Sequence, residues 1–354
     1  MAEQVFLTNF TPSQLQEWVV SLGEPAYRAQ QIRQWLYRSL ESDIHNMANL
    51  PEELRAKLAE RACVSSLRPL QHIRSVDGQT EKTLFALPDE QTIESVLMRY
   101  ESRQTICVST QVGCPIGCSF CATGQGGYQR NLTAGEIIDQ VLHFARLLRP
   151  EGLPVTNVVY MGMGEPLLNY DAVWQSIVVL HDSQALSIGS RRFTISTAGV
   201  VPGIDRLSAE TLQIGLAISL HAPDDELRDQ LVPLNRRYPL SELLAACHRY
   251  VAQADRRITF EYALIDGVND ELAMAYKLIE LLRGLPAHIN LIPLNPTADS
   301  PYRASRRDRV VAFHRALRQQ GMKVTLRLRR GVGISAGCGQ LRSQAGDHQQ
   351  GQRP

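Results

Sequence analysis

From about residue 103 to residue 328 the chain alternates short β-rich runs with longer amphipathic stretches, and this repeat restricts the fold more than any other feature. The runs TICVST, TNVVYM, RRFTIS, IGLAISL, ITFEYAL, HINLIPL and KVTLRL are rich in β-branched residues. Between them lie helical stretches such as AGEIIDQVLHFARLL, SELLAACHRYVAQA and ELAMAYKLIELLRGL. A strand that hands over to a helix and then to another strand builds a parallel sheet with crossover helices, an α/β fold. Six or seven such units suit a partial (β/α)6-type barrel better than an open doubly wound sheet, although periodicity alone does not decide between them. In a barrel the chemistry gathers at the C-terminal strand ends, so the residues directly after each run become the candidates.

The segments before the repeat read differently. Thr11-Pro12 caps a helix carrying Leu15, Trp18, Val19 and Leu22; Ile32, Trp35, Leu36 and Leu40 mark a second, and Leu50-Pro51-Glu52 opens a third. Arg28, Arg33 and Arg38 are expected on exposed faces of this small helical module. From Gln71 the period becomes two, with Asp77-Gly78 signalling a hairpin and QTIESVLMRY a further strand. The expected domains are therefore a helical accessory domain at 1–65, a β extension at 66–99, the barrel at 100–335 and a C-terminal segment at 336–354 whose polar tail from Arg342 reads as disordered.

No apolar run approaches the roughly 20 residues of a membrane span, and the N-terminus has no basic patch followed by an apolar segment. A cytoplasmic, monomeric protein without membrane contact is expected. The net charge of +1 conceals an uneven distribution. From Pro301 onward twelve Lys or Arg face only Asp308 and Asp347, which leaves 25 basic and 34 acidic residues before it. Such a block, with Arg303, Arg306, Arg307, Arg309, Arg327, Arg329 and Arg330, is either a solvated face or a phosphate-binding surface.

Seven cysteines in such a chain do not form a secreted disulfide framework, so their spacing matters more than their number. Cys114, Cys118 and Cys121 follow the first barrel strand as C-x3-C-x2-C, with Gly113, Pro115 and Gly117 loosening the loop. Three thiolates can wrap a [4Fe–4S] cluster while leaving one iron open. Zinc, which usually takes four protein ligands or three plus water, and plain structural thiols are the alternatives. At this spacing, with Phe120 before the last cysteine, the sequence resembles the radical S-adenosylmethionine (AdoMet) superfamily. The resemblance implies that AdoMet chelates the open iron and is cleaved by one electron, delivered by a reductant such as flavodoxin or ferredoxin, to a 5′-deoxyadenosyl radical.

Strand-end motifs support a bound AdoMet. YMGMGEP supplies Gly162 and Gly164 for close backbone approach and Glu165 as a carboxylate for the ligand's ammonium; Ser196, then Ser219, Leu220 and His221 in ISLHAP, then Asn295, follow at later strand ends. Each alone is an ordinary loop polar group, and together they read as one ring around a ligand. Cys107 sits on a β-branched strand, where a buried structural thiol is the plain reading, whereas Cys338 lies among Gly331, Gly333, Gly337 and Gly339 in what reads as a mobile or tightly turned loop.

IESVLMRY, ICVSTQVGCPIGCSFCATG, RNLTAGEI, MGMGEPLLN, ISTAG, SLHAP, PLNP and CGQL occur in the order seen in the RlmN/Cfr family of RNA adenine methyltransferases, which the chain resembles up to residue 341. Where that family typically carries R-G-x-D-I-D-A-A-C, this chain reads RGVGISAGC, with Gly333 and Ser335 at the acidic positions. The resemblance implies methylation of adenosine carbon 2 in 23S rRNA, with tRNA as a possible second substrate and carbon 8 as the rival position. It assigns Cys338 as the methyl-carrying nucleophile, Glu94 as the proton acceptor, and Cys107 as the thiol that releases the product by forming a transient disulfide with Cys338. A radical AdoMet enzyme with another substrate, and a non-catalytic iron–sulfur or zinc protein that binds RNA, are the competing classes.

Overall fold

The computed structural model describes residues 4–297, 300–327 and 331–341. Its centre is a ten-stranded sheet formed by β1 (Arg68–Arg74), β2 (Thr80–Ala86), β3 (Thr92–Tyr100), β4 (Arg103–Cys107), β5 (Asn157–Tyr160), β6 (Phe193–Thr197), β7 (Gly215–Ser219), β8 (Ile258–Leu264), β9 (Ala287–Pro293) and β10 (Val324–Leu326). Neighbours in the sheet are neighbours in sequence throughout, and β4 to β10 run parallel. A doubly wound sheet needs a reversal of strand order at a switch point. Its absence here decides for the partial barrel.

One crossover helix follows each of β4 to β9: Ala134–Leu148, Tyr170–His181, Val201–Ser208, Leu240–Ala254, Leu272–Leu281 and Arg307–Gln319. A short extra helix, Asp225–Leu231, precedes Leu240–Ala254. No helix among the described residues is long and apolar enough to cross a membrane. The β extension continues the sheet instead of forming a separate layer, because β3 pairs antiparallel with both β2 and β4.

The N-terminal helices form as their signals indicate: Pro12–Ser21 starts from a capping box between Thr11 and Gln14, and Glu52–Arg61 follows Pro51. Tyr27–Arg33 runs on into a wider π turn at Gln34–Arg38. The module docks on the outer side of the Ala134–Leu148 helix. Asp139 Oδ2 there accepts hydrogen bonds from Thr8 Oγ1 (3.2 Å), Ser66 N (2.7 Å) and Ser66 Oγ (2.8 Å). Burial is the main reason the Asp139 carboxyl is pushed up to about 6.

Arg28 and Arg33 of the module depart from the sequence expectation. Arg33 is largely buried and pairs with Asp182 at 2.5 Å, and Arg38 donates to the Ser183 carbonyl. Both reach the loop after the Tyr170–His181 helix and clamp the module to the barrel; Arg38 stays on an exposed face as expected, whereas Arg33 does not. Arg28 turns inward to Gln31 Oε1 and the Asn49 carbonyl.

Candidate active site

The cysteine loop leaves β4 and is held open by a short ribbon in which Gln111–Gly113 pairs with Tyr128–Asn131. Cys114 N donates to Gly127 O at 2.8 Å and Ser119 N to Leu231 O at 3.2 Å, which ties both sides of the loop to the barrel rim. The three thiols are half-buried and line one cavity of about 170 Å³ together with Gly162, Gly164, Glu165, Ser196, Ser219, His221 and Asn295. Successive strand ends therefore do converge on one chamber. Leu220 is the exception: its side chain is buried away from the cavity, and its backbone carbonyl accepts from Arg228.

Several of these residues are held by the chain itself. Both Glu165 oxygens take a backbone donor, Leu167 N at 3.1 Å and Ala198 N at 2.7 Å, and burial pushes the carboxyl up to about 7. Gly162 and Gly164 are required for close approach, but to the protein's own 108–111 segment. A Cβ on Gly162 would stand 2.6 Å from Val108 O, and one on Gly164, where φ is +103°, 2.6 Å from Gln111 Cβ. His221 Nδ1 accepts from Ala263 N at 3.0 Å, so Nε2 carries the proton, and burial with the nearby Arg228 cation lowers the ring to about 3. Ser196 and Ser219 hydroxyls lie 3.4 Å apart.

The donor set fits an iron–sulfur cluster with a polar ligand. Among the described residues no three His, Cys, Asp or Glu side chains converge on a single-ion site. A cubane asks for no such convergence, because each thiolate binds a different iron. Among the described residues two buried acceptor oxygens on the cavity wall, Glu261 Oε2 and Asn295 Oδ1, have no hydrogen-bond partner, the former with only the Arg327 cation at 3.7 Å, as expected of a wall built to meet donors on a bound molecule. Cys114, Cys118 and Cys121 would hold the cluster. The strand-end polar groups would hold AdoMet.

Cys338 reaches the same chamber from the C-terminal segment. Asn295 Nδ2 donates to its carbonyl at 3.3 Å, and Gly339 O accepts from Ala122 N at 2.8 Å, next to the last cysteine of the loop. Cys107, buried at the end of β4, shares a gap of about 20 Å³ with Cys338, Val96, Met98 and Arg327. Burial pushes the Cys107 thiol up to about 12, the neighbouring Cys338 adds to this, and Arg327 opposes it. Glu94 precedes Val96 and Met98 by even steps on β3, so it shares their face. Its side chain is 2% exposed and ion-paired to Lys82 Nζ at 2.7 Å.

Below this gap a cavity of about 460 Å³ fills the N-terminal half of the barrel, lined among others by Tyr100, Arg103, Asn157, Glu261, Asn290 and Cys338. Arg327 lines all three spaces, with Nη1 3.7 Å from Glu261 Oε2. The neighbouring Cys338 raises the Arg327 guanidinium further above its usual value, and Glu261 assists against the pull of burial. Arg327 thus belongs to the barrel interior and not to a surface phosphate patch. Arg309 is likewise committed, to the buried Asp270 at 2.8 Å. Arg303, Arg306 and Arg307 lie before or at the start of the last crossover helix, whereas Arg329, Arg330 and the tail from Arg342 lie outside the described residues.

Sequence reasoning missed Lys82, Arg228 and Glu261. Arg228 is 0% exposed and spans Ala198 O (2.6 Å), Leu220 O (3.1 Å), Ser219 O (3.3 Å) and Asn235 Oδ1 (2.8 Å), so it ties two strand ends together. Its one signal was placement three residues before Leu231, on the buried side of a short helix. Every residue of β2 is buried, so no alternation singled out Lys82.

Comparison with known proteins identifies the family. Residues 5–64 match the family described as the ribosomal RNA large subunit methyltransferase N-terminal domain, and residues 108–279 match the radical SAM superfamily. The chain is 47% identical to a probable dual-specificity RNA methyltransferase RlmN of Chloroflexus aurantiacus, covering 98% of this chain and 94% of that one. It is 44% identical to the ribosomal RNA large subunit methyltransferase N of Nitrosopumilus maritimus, covering 95% and 98%. Among solved structures, a radical SAM methyltransferase from Sphaerobacter thermophilus superposes with a TM-score of 0.94 at 53% identity, over 96% of this chain and 99% of that one.

Proposed function

The chain belongs to the RlmN family of radical SAM RNA methyltransferases, and from that premise we propose that it methylates carbon 2 of an adenosine in 23S rRNA, and in tRNA, through a methyl group carried on Cys338. The observation that carries this reading is the gap that Cys107 and Cys338 share between the cysteine-loop chamber and the lower barrel cavity. A radical AdoMet enzyme without a cysteine-borne methyl has no use for two cysteines lining one gap there.

Ring carbon 2 of adenine is an electron-poor sp² centre that does not attack a sulfonium methyl. When bound, the [4Fe–4S] cluster and AdoMet supply a 5′-deoxyadenosyl radical, with the starting electron coming from a flavodoxin or ferredoxin. Cys338 contributes the nucleophilic thiolate that first accepts a methyl by displacement. After loss of a hydrogen atom its S-methylene carbon joins the ring, which links protein to RNA. Glu94 then takes the ring proton, and the one electron released would pass to the oxidised form of the flavodoxin or ferredoxin carrier. Cys107 sulfur bonds to Cys338 sulfur, the sulfur–carbon bond breaks, and the proton from Cys107 completes the new methyl group. The disulfide must be reduced before another turnover.

An adenine paired or stacked in folded RNA has to be unstacked before it can enter the barrel. Anaerobic reconstitution with AdoMet, a reductant and 23S rRNA fragments, followed by mass mapping of the modified nucleoside, tests the proposal. The expected product is 2-methyladenosine, and an 8-methyladenosine product overturns the ring position. Methylation that persists in Cys338→Ala overturns the cysteine-borne route.

A further inference from the structure

Lys82 is a buried cation for which the steps above have no use. It stands on β2 opposite Val96 of β3, and its side chain is 8% exposed. Its Nζ lies 2.7 Å from Glu94 Oε1 and 3.3 Å from the Ser335 carbonyl, three residues before Cys338. An ammonium has three N–H donors, so one lysine can serve both acceptors at once.

The surroundings make this bridge part of a larger contact. Gly331 packs on the same hairpin, where a Cβ would stand 2.8 Å from Thr80 Cγ2. Thr80 is opposite Met98 in the β2–β3 register, and Ala336 joins Val96 and Met98 on the wall of the gap that holds Cys107 and Cys338. Backbone bonds from Ile334 N (3.1 Å) and Ala336 N (2.8 Å) to Gly331 O fold the loop into a turn over the strand pair. The β extension is therefore the floor on which the Cys338 loop lies, and Lys82 is the polar fastening in that floor.

We propose that Lys82 is a positioning residue that locks the Glu94 carboxylate and the Cys338 loop to each other, so that the proton acceptor and the methyl-bearing sulfur meet the adenine ring as one unit. This rests on the roles proposed above for Glu94 and Cys338. It explains why the β extension is continuous with the barrel sheet: a separately hinged extension would let the acceptor drift from the sulfur. Acceptor geometry matters most at the step that resolves the protein–RNA adduct, where a proton leaves a ring carbon.

The test compares Lys82→Met and Lys82→Arg with wild type in the full-length holoenzyme. Hydrogen exchange without reductant reads the tether alone: the Ile334 and Ala336 amides should exchange at least about tenfold faster in Lys82→Met and regain most protection in Lys82→Arg. Under turnover, Cys338 S-methylation and 5′-deoxyadenosine release should stay within about twofold of wild type, while the adduct, followed on denaturing gels, survives about tenfold longer. In Glu94→Gln, adding Lys82→Met should lengthen adduct lifetime less than about twofold, since both changes act on one step.

Unchanged loop exchange, or equal losses at every step, overturns the inference. If Lys82→Met does not fold, Lys82→Gln, which removes the cation, takes its place, and wild-type adduct lifetime together with wild-type exchange in that variant overturns it. Cys107→Ala separates this failure from failure of the underlying function. An adduct that accumulates in Cys107→Ala but not in the Lys82 variants refutes Lys82 positioning only, whereas no adduct in any variant refutes the cysteine-borne route itself.

Discussion

Replacing Arg228 by Met removes four hydrogen bonds at the centre of the strand-end ring. Three go to the carbonyls of Ala198, Ser219 and Leu220, and the fourth goes to Asn235 Oδ1. Hydrogen bonds from a charged donor contribute roughly 1.5–3 kcal/mol each, and acceptors left bare in the interior cost about 1–3 kcal/mol. Two considerations reduce the loss. Leu220 O keeps a second donor, Ala222 N at 2.8 Å, and methionine no longer holds a charge out of water. Burial lowers the Arg228 guanidinium from its usual value to about 10. At about 1.4 kcal/mol per pH unit that desolvation is worth roughly 3 kcal/mol, which the substitution returns.

The remaining destabilisation is about 2–4 kcal/mol, which for a protein of 354 residues corresponds to a fall in Tm of roughly 3–5 °C. Because Ala198 and Ser219 also line the cysteine-loop cavity, AdoMet affinity should fall about tenfold or more. Lysine should rescue poorly, since a single ammonium does not reproduce the guanidinium fork. Differential scanning calorimetry and equilibrium dialysis with AdoMet on the reconstituted enzyme measure both effects. A Tm within about 2 °C of wild type together with unchanged AdoMet affinity would refute this account of the ring.

Two further outcomes follow from the way the N-terminal module is attached. The folded-state carboxyl of Asp139 is raised to about 6, so folding takes up a proton, and this group's contribution is largest below its unfolded value and declines as pH rises toward 6. In urea unfolding between pH 4 and 7, Asp139→Asn should therefore gain on wild type by about 3 kcal/mol as pH rises, then run parallel to it; a constant difference would contradict the assignment. Arg33→Ala removes the clamp to Asp182 and should cost about 1–2 kcal/mol, read as faster proteolysis within residues 5–64 with the barrel intact. Unaltered cleavage there would show that the Asp139 contacts alone hold the module.

Much of the site was legible one residue at a time. The triplet at 114, 118 and 121, the glycine loop after β5 and the polar residues at the ends of β6 and β7 and just beyond β9 announce themselves because chemistry restricts which residues can stand there. Sequence motifs also singled out Cys107, Cys338 and Glu94. What they could not express is that Cys107 and Cys338 share one narrow gap, since the two lie at opposite ends of the barrel segment.

By itself the sequence determined the alternating plan, the helical start of the chain, the hairpin at Asp77-Gly78 and the close spacing of Cys114, Cys118 and Cys121. These depend on local periodicity, turn chemistry and spacing, which a chain carries before it folds. Only the tertiary structure decided that the hairpin extends the barrel sheet, that Arg33, Arg309 and Arg327 are spent on internal partners, and that Lys82 and Arg228 are buried among carbonyls and carboxylates. A charged side chain looks the same in sequence whether it faces water or an acceptor. Its role is settled by the desolvation cost and the partners met after the chain closes.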